Sequence, residues 1–164
     1  GYAAVNMGAI GTINNLAGGV TVTIEDDFSK VDKTMKLGET IKLTDEQAVH
    51  FVHDRYYVGD ETNVQRMKRQ EQYKEGLKKN LGEKCSEDNK YPLTIYDALG
   101  DYMVTDINSQ KFSKLALLVL KDKDAGTVSI DGTESVDDLG FVEVQPDEES
   151  LQKAILTLFY KEYK

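Results

Sequence analysis

Helices covering a mixed β-sheet in a layered αβα arrangement are what this sequence predicts, and three observations carry the prediction. Val20, Val22 and Ile24 alternate with Thr21 and Thr23, the period of a half-buried strand. Leu151, Ala154, Ile155, Leu158 and Phe159 recur with the period of an amphipathic helix. Segments of these two kinds alternate along the chain. Strand order is not encoded at this level.

Taken in order, Asn6 to Leu16 reads as a short helix stopped by Gly18-Gly19, which leads into the strand around Val22. A polar, irregular stretch from Glu25 to Met35 precedes a turn at Leu37-Gly38 that runs on to Leu43. Thr44 through Gln47 matches a capping box, so a helix carrying Ala48, Val49, Phe51 and Val52 should run to about Asp54. The Tyr56 to Thr62 segment contains Gly59 and reads as a flexible loop, with Arg55 and Arg66 at its two ends. A long helix follows from Asn63 to about Leu81, and the polar Gly82 to Lys90 segment reads as a mobile link. Pro92 suits the first turn of a helix reaching Leu99. Met103 to Ile107 reads as a strand, Asn108 or Ser109 as the cap of a helix through Leu120, and Thr127 to Ile130 and Phe141 to Val144 as strands flanking an acidic loop. Asp147 caps the last helix.

The charge balance of 20 basic against 29 acidic residues gives −9, which disfavours nonspecific binding to nucleic acid or anionic membranes. Cys85 is the single cysteine, so an intrachain disulfide and a cysteine metal cage are both excluded. No apolar run has the length of a membrane span, and Gly1-Tyr2 opens without a start methionine or signal-like segment, the mark of a processed or excised piece.

The chemistry concentrates after the capping box. With the helix beginning near Asn63, Arg66, Arg69, Gln70, Tyr73 and Leu77 share one stripe, while Lys68, Glu71, Glu75, Lys78 and Lys79 take the other side. Arginines paired with nearby acids on a surface helix are the plain reading of such residues. Two arginines on a stripe with Leu77 instead call for an anion, a carboxylate or a wet cleft. A diphosphate matches, because a guanidinium fork grips phosphate oxygens at two points and Gln70 can orient another oxygen. His50 and His53, three apart, have a spacing compatible with metal binding, but no cysteine or third histidine supports it, and they read as ordinary surface histidines. The acidic runs Glu25-Asp26-Asp27, Asp122-Lys123-Asp124 and Asp131 to Asp138 fit no calcium loop, and the glycines near the amino end make no dinucleotide fingerprint.

Tyr2 to Val5, Leu16-Ala17-Gly18-Gly19-Val20, Leu37-Gly38, Leu43 to Ala48, Arg55 and Arg66-Met67-Lys68-Arg69-Gln70 together resemble the second half of the LytR-CpsA-Psr catalytic domain. The resemblance makes residues 1–164 one domain of partial LytR-CpsA-Psr fold, with 2–81 as its core portion and 91–164 as its carboxyl-terminal portion. It implies an extracytoplasmic, membrane-anchored parent protein. That parent would be a phosphotransferase of bacterial cell wall biogenesis, moving a glycopolymer such as teichoic acid or capsular polysaccharide from a polyprenyl diphosphate carrier to peptidoglycan. The prenyl tail would lie in an apolar tunnel between sheet and helices. The resemblance implies Arg66 and Arg69 as catalytic residues, and Arg55, Arg66, Arg69, Gln70 and His53 as the diphosphate-binding set. The family usually has arginine where His53 stands and aspartate where Asn63 stands. Its magnesium-binding aspartates belong to an amino-terminal half outside this chain, so no metal ligand is assigned here. Sheet edges or apolar surface would then be uncovered unless the fold rearranges or chains self-associate. The alternative from a different class is a noncatalytic interaction or regulatory module of the cell envelope, its arginines paired with Glu25, Asp26 or Asp54. Regulation through nucleic acid is disfavoured by the net charge.

Overall fold

The computed structural model describes residues 1–122 and 128–160. It divides into two compact units, Gly1–Asp122 and Lys123–Lys164.

In the first unit, strand β1 (Ala3–Val5) is followed by helix α1 (Ala9–Leu16), strands β2 (Thr21–Thr23) and β3 (Thr40–Lys42), and helices α2 (Asp45–His53), α3 (Asn63–Glu87) and α4 (Tyr91–Ala98). A single 3-10 turn, Gly100–Tyr102, leads into β4 (Met103–Thr105) and helix α5 (Ser109–Lys121). The expected first helix starts later than Asn6, because the Asn6 side chain instead accepts from the Gly8 amide and closes a turn after β1. The capping box of α2 forms in full: Thr44 accepts from the Gln47 amide and Gln47 accepts from the Thr44 amide.

Helix α3 runs through Gly82 to Glu87, where a mobile link was expected. Tyr73, Leu77, Leu81 and Cys85 recur every fourth residue, all pack inward to some degree, and Cys85 is buried. That burial extends the helix past a glycine whose missing side chain would meet nothing within 4 Å. The strand expected to reach Ile107 ends at Thr105, whose hydroxyl accepts from the Ile107 amide and turns the chain.

The α/β class holds, with the strands arranged as pairs. Among the described residues β1 pairs with β4 and β2 with β3, each antiparallel, and a third antiparallel pair lies in the second unit. The main core of the first unit gathers Val20, Val22 and Ile24 from the β2 segment, Phe28 and Met35 from the following loop, Leu43, Ala48 and Phe51 from α2 and its approach, and Tyr73 from α3. A smaller cluster of Ala9, Ile95 and Leu99 sits under α1 and α4, and Leu81 packs against both clusters. Helix α3 lies close on β2 because position 76 is glycine: a Cβ there would stand 2.6 Å from the Val20 Cγ1 atom. Asn14, 1% exposed, ties these parts together. Its amide donates to the Leu43 carbonyl (3.1 Å) and to Asp45 (3.0 Å), and its oxygen accepts from the Val20 amide (3.1 Å).

The second unit is a hairpin, β5 (Gly132–Val136) and β6 (Val142–Pro146), followed by helix α6 (Glu148–Phe159). Thr127 lies outside the described residues, and Val128 to Ile130, expected as strand, are irregular. The first strand falls instead inside the stretch expected as an acidic loop. Asp137 makes that possible, since its carboxylate accepts from the Leu139 and Phe141 amides while Gly140 takes φ 85°. Asp147 caps α6 as expected. Of the described large apolar side chains in this unit, Leu139, Phe141, Val142 and Phe159 are all exposed, and Ala154 is its buried residue.

A candidate anion cleft at the end of helix α2

The inward stripe of α3 is real, but its residues do different things. Arg69 is 5% exposed. Its Nε donates to the Phe51 carbonyl at 2.9 Å, one terminal nitrogen forms an ion pair with Asp26, and the other donates to the Asp54 carbonyl. The guanidinium also stacks over Phe28, 5.4 Å from the ring centre. Each nitrogen of Arg69 is therefore engaged by the protein itself. Expected in the anion-binding set, Arg69 is instead withdrawn from the open cleft, because a buried guanidinium is tolerated only when its charge and donors are met. It borders a separate indentation of about 20 Å³ beside Asp26 and Gln65. Gln70, also expected in the set, donates to the Val52 carbonyl at 3.1 Å and does not line the cleft.

The structure does bring His53, Arg55 and Arg66 together around an open cleft of about 500 Å³, with Val31, Asp54, Tyr56 and Tyr57 completing its walls. Arg66 comes from the first turns of α3, where Thr62 caps the helix by accepting from the Gln65 amide. One terminal nitrogen of Arg66 donates to Asn63 Oδ1 at 2.7 Å, while its Nε is buried with no hydrogen-bond partner. An unanswered buried donor costs about 1–3 kcal/mol, more when charged. Arg55 lies over the Tyr56 ring at 4.6 Å and donates to its hydroxyl. Neither guanidinium of this pair is in an ion pair among the described residues, in contrast to Arg69.

The segment between the arginines is pinned, not loose. Val58 is buried in the core, and the Gly59 amide donates to the Asp27 carbonyl. A Cβ at Gly59 would stand 3.0 Å from Asp26 Oδ1, so the loop presses directly on the acid that holds Arg69. Tyr57 (φ 66°) and Glu61 (φ 60°) both adopt the left-handed conformation, and the Glu61 carboxylate accepts from the Tyr57 amide at 3.0 Å. The Thr62 amide and hydroxyl hold the Asp60 carboxyl below its ordinary value. Asp54, at the carboxyl end of α2, accepts on one oxygen from His50 Nδ1 (2.7 Å) and on the other contacts His53 Nδ1 (3.1 Å). The Asp32 carboxyl is held below its ordinary value chiefly by the Thr34 hydroxyl and amide. Among the described residues no group of three or more His, Cys, Asp or Glu side chains is placed to hold a metal ion.

Sequence reasoning missed Val31, Tyr56 and Tyr57. The adjacent tyrosines directly after Arg55 were the available signal.

An α/β protein whose surface carries a cleft walled by two arginines without an ion-pair partner among the described residues, a histidine and tyrosines is the class that fold and site define. The chain belongs to the LytR_cpsA_psr (LytR-CpsA-Psr) family, whose model matches residues 1–158. Among solved structures it is similar to a transcriptional regulator from Enterococcus faecalis, at 22% identity and TM-score 0.71, over 99% of this chain and 60% of that one. It is similar to B. subtilis TagV at 19% identity and TM-score 0.69, over 98% and 65%, and to B. subtilis TagU at 17% and 0.58, over 99% and 66%. These likenesses show the fold. The chain spans less than two thirds of the length of each of these structures. No curated protein matches the sequence. Among the described residues no helix is long and apolar enough to cross a membrane.

Proposed function

We propose that the cleft binds the diphosphate of a polyprenyl-linked glycopolymer, and that the parent protein works at the extracytoplasmic face of the bacterial cell envelope, transferring that polymer to peptidoglycan. Family membership supports the setting. The single observation that carries the site is Arg66, a cleft residue with a buried Nε donor that has no hydrogen-bond partner, in the same cleft as Arg55. Turning onto an anion gives that donor a partner, so Arg66 gains more from a ligand than an arginine already satisfied by the protein. In the transfer, an acceptor hydroxyl forms a new P–O bond, the bond to the bridging oxygen breaks, and the lipid phosphate leaves. Fixed guanidiniums stabilise the charge that develops on it. In this reading Arg55, Arg66 and His53 contact the diphosphate, whereas Arg69 and Gln70 are positioning residues that hold the end of α2 in place.

Titration with geranyl diphosphate tests this. Wild type should bind, and Arg66→Ala should bind at least about tenfold more weakly, the loss of one charge-assisted contact. Equal affinity in the two proteins rejects the cleft.

The Arg69–Asp26 pair favours a second reading, in which the domain is a noncatalytic envelope module and its arginines serve the fold. Under it, Arg66→Glu lowers the melting temperature and no diphosphate binds to wild type.

A further inference from the structure

His53 stands in the cleft with its Nδ1 turned to Asp54 and a side chain 58% exposed. Asp54 is itself a wall of the cleft, so a bound anion meets a carboxylate as well as the Arg55 and Arg66 guanidiniums. Both carboxylate oxygens of Asp54 face histidines, and its own backbone carbonyl is gripped by the buried Arg69. The wall charge that an anion sees thus depends on the state of one imidazole. A neutral His53 leaves Asp54 opposing the ligand; a protonated one offsets Asp54, so that the two arginines act on the anion without an opposing charge.

Building on the cleft as an anion site, we propose that diphosphate binding here is coupled to the uptake of one proton by His53. Imidazole changes charge between about pH 5 and pH 8. The groups that face it across the cleft are Arg55 and the phenols of Tyr56 and Tyr57 from the loop, and Arg66 from α3; Asp54 follows it on its own segment. His50, one turn earlier on α2, shares Asp54 but does not line the cleft. An anion in the cleft favours the protonated imidazole. The sign follows: binding tightens as pH falls and weakens as pH rises.

Isothermal titration of the whole chain with UDP-glucose, at several pH values from about 5.5 to about 8 and in two buffers of different ionisation heat, tests the coupling. Each phosphate of this diphosphate diester carries one charge that does not titrate in the range, so the probe adds no pH dependence of its own. Wild-type affinity should fall about tenfold across the range, the scale of one charge–charge contact near a protein surface, and the buffer-dependent heat should report proton uptake. His53→Gln should bind with a flat pH profile, and His53→Arg should bind with a flat profile at the tight end. His50→Gln should keep the wild-type slope. A flat or rising wild-type profile, or a slope that survives in His53→Gln, overturns the coupling while leaving the cleft intact. Absence of binding by both wild type and His53→Arg at every pH overturns the anion site and the coupling with it.

Discussion

Removing the Arg69 guanidinium should damage the fold before it damages any ligand site. Arg69 and Asp26 are 5% and 6% exposed, so Arg69→Ala leaves a carboxylate buried without its counter-charge and two carbonyls, of Phe51 and Asp54, without their donor. Breaking such a pair from one side costs about 3–5 kcal/mol. For a chain of this length each kcal/mol moves the midpoint by about 2–4 °C, so a loss of about 6–20 °C is expected in a thermal melt followed by circular dichroism. Arg69→Lys keeps the charge but loses the planar fork, and should recover only part of the loss. Arg69→Met combined with Asp26→Leu removes both charges together, and should melt well above either single variant. An Arg69→Ala protein that melts like wild type but no longer binds geranyl diphosphate would refute this account, and return Arg69 to the ligand.

Three further outcomes follow from the packing and the titrating groups. Gly76→Ala should destabilise by about 1–3 kcal/mol in urea despite alanine's better helix propensity, because the new Cβ collides with fully buried Val20; a stabilised variant would mean that α3 shifts freely over β2. Burial pushes the Tyr73 phenol well above its ordinary value, with Asp45 adding to the rise, so its contribution is intact below about pH 10 and lost as pH climbs toward the raised value. Tyr73→Phe should therefore flatten the alkaline limb of a stability-versus-pH curve, and an unchanged limb counts against it. Thr44→Ala removes the cap of α2 and should cost about 1 kcal/mol, measured by chemical denaturation.

How far the chain could be read in advance depended on what holds each part. The α2 capping box, the Asp147 cap and the inward stripe of α3 rest on local spacing, and local spacing is visible in sequence. The pairing of β1 with β4 joins Ala3 to Thr105, a contact no local pattern specifies. The second strand of the hairpin was legible from Phe141 to Val144, but the first escaped because Thr133, Glu134 and Ser135 lack apolar alternation; both faces of that strand are exposed. Within the site, periodicity put Arg66, Arg69 and Gln70 on one stripe, of which Arg69 is buried, Arg66 half-buried and Gln70 exposed. It could not tell which arginine finds an acid, because Asp26 is 43 residues from Arg69 and reaches it only through the loop after β2. The same limit hid Tyr56 and Tyr57 as walls.

Tyr57 repays one more look. A left-handed backbone costs a side-chain-bearing residue roughly 1–2 kcal/mol, an expense glycine would avoid. Anyone redesigning the domain for sturdiness would put glycine there, and would thereby strip an aromatic surface from the mouth of the cleft. Heat tolerance and ligand grip thus pull in opposite directions at a single position, and a library varied at residue 57 should sort into sturdy poor binders and fragile good ones.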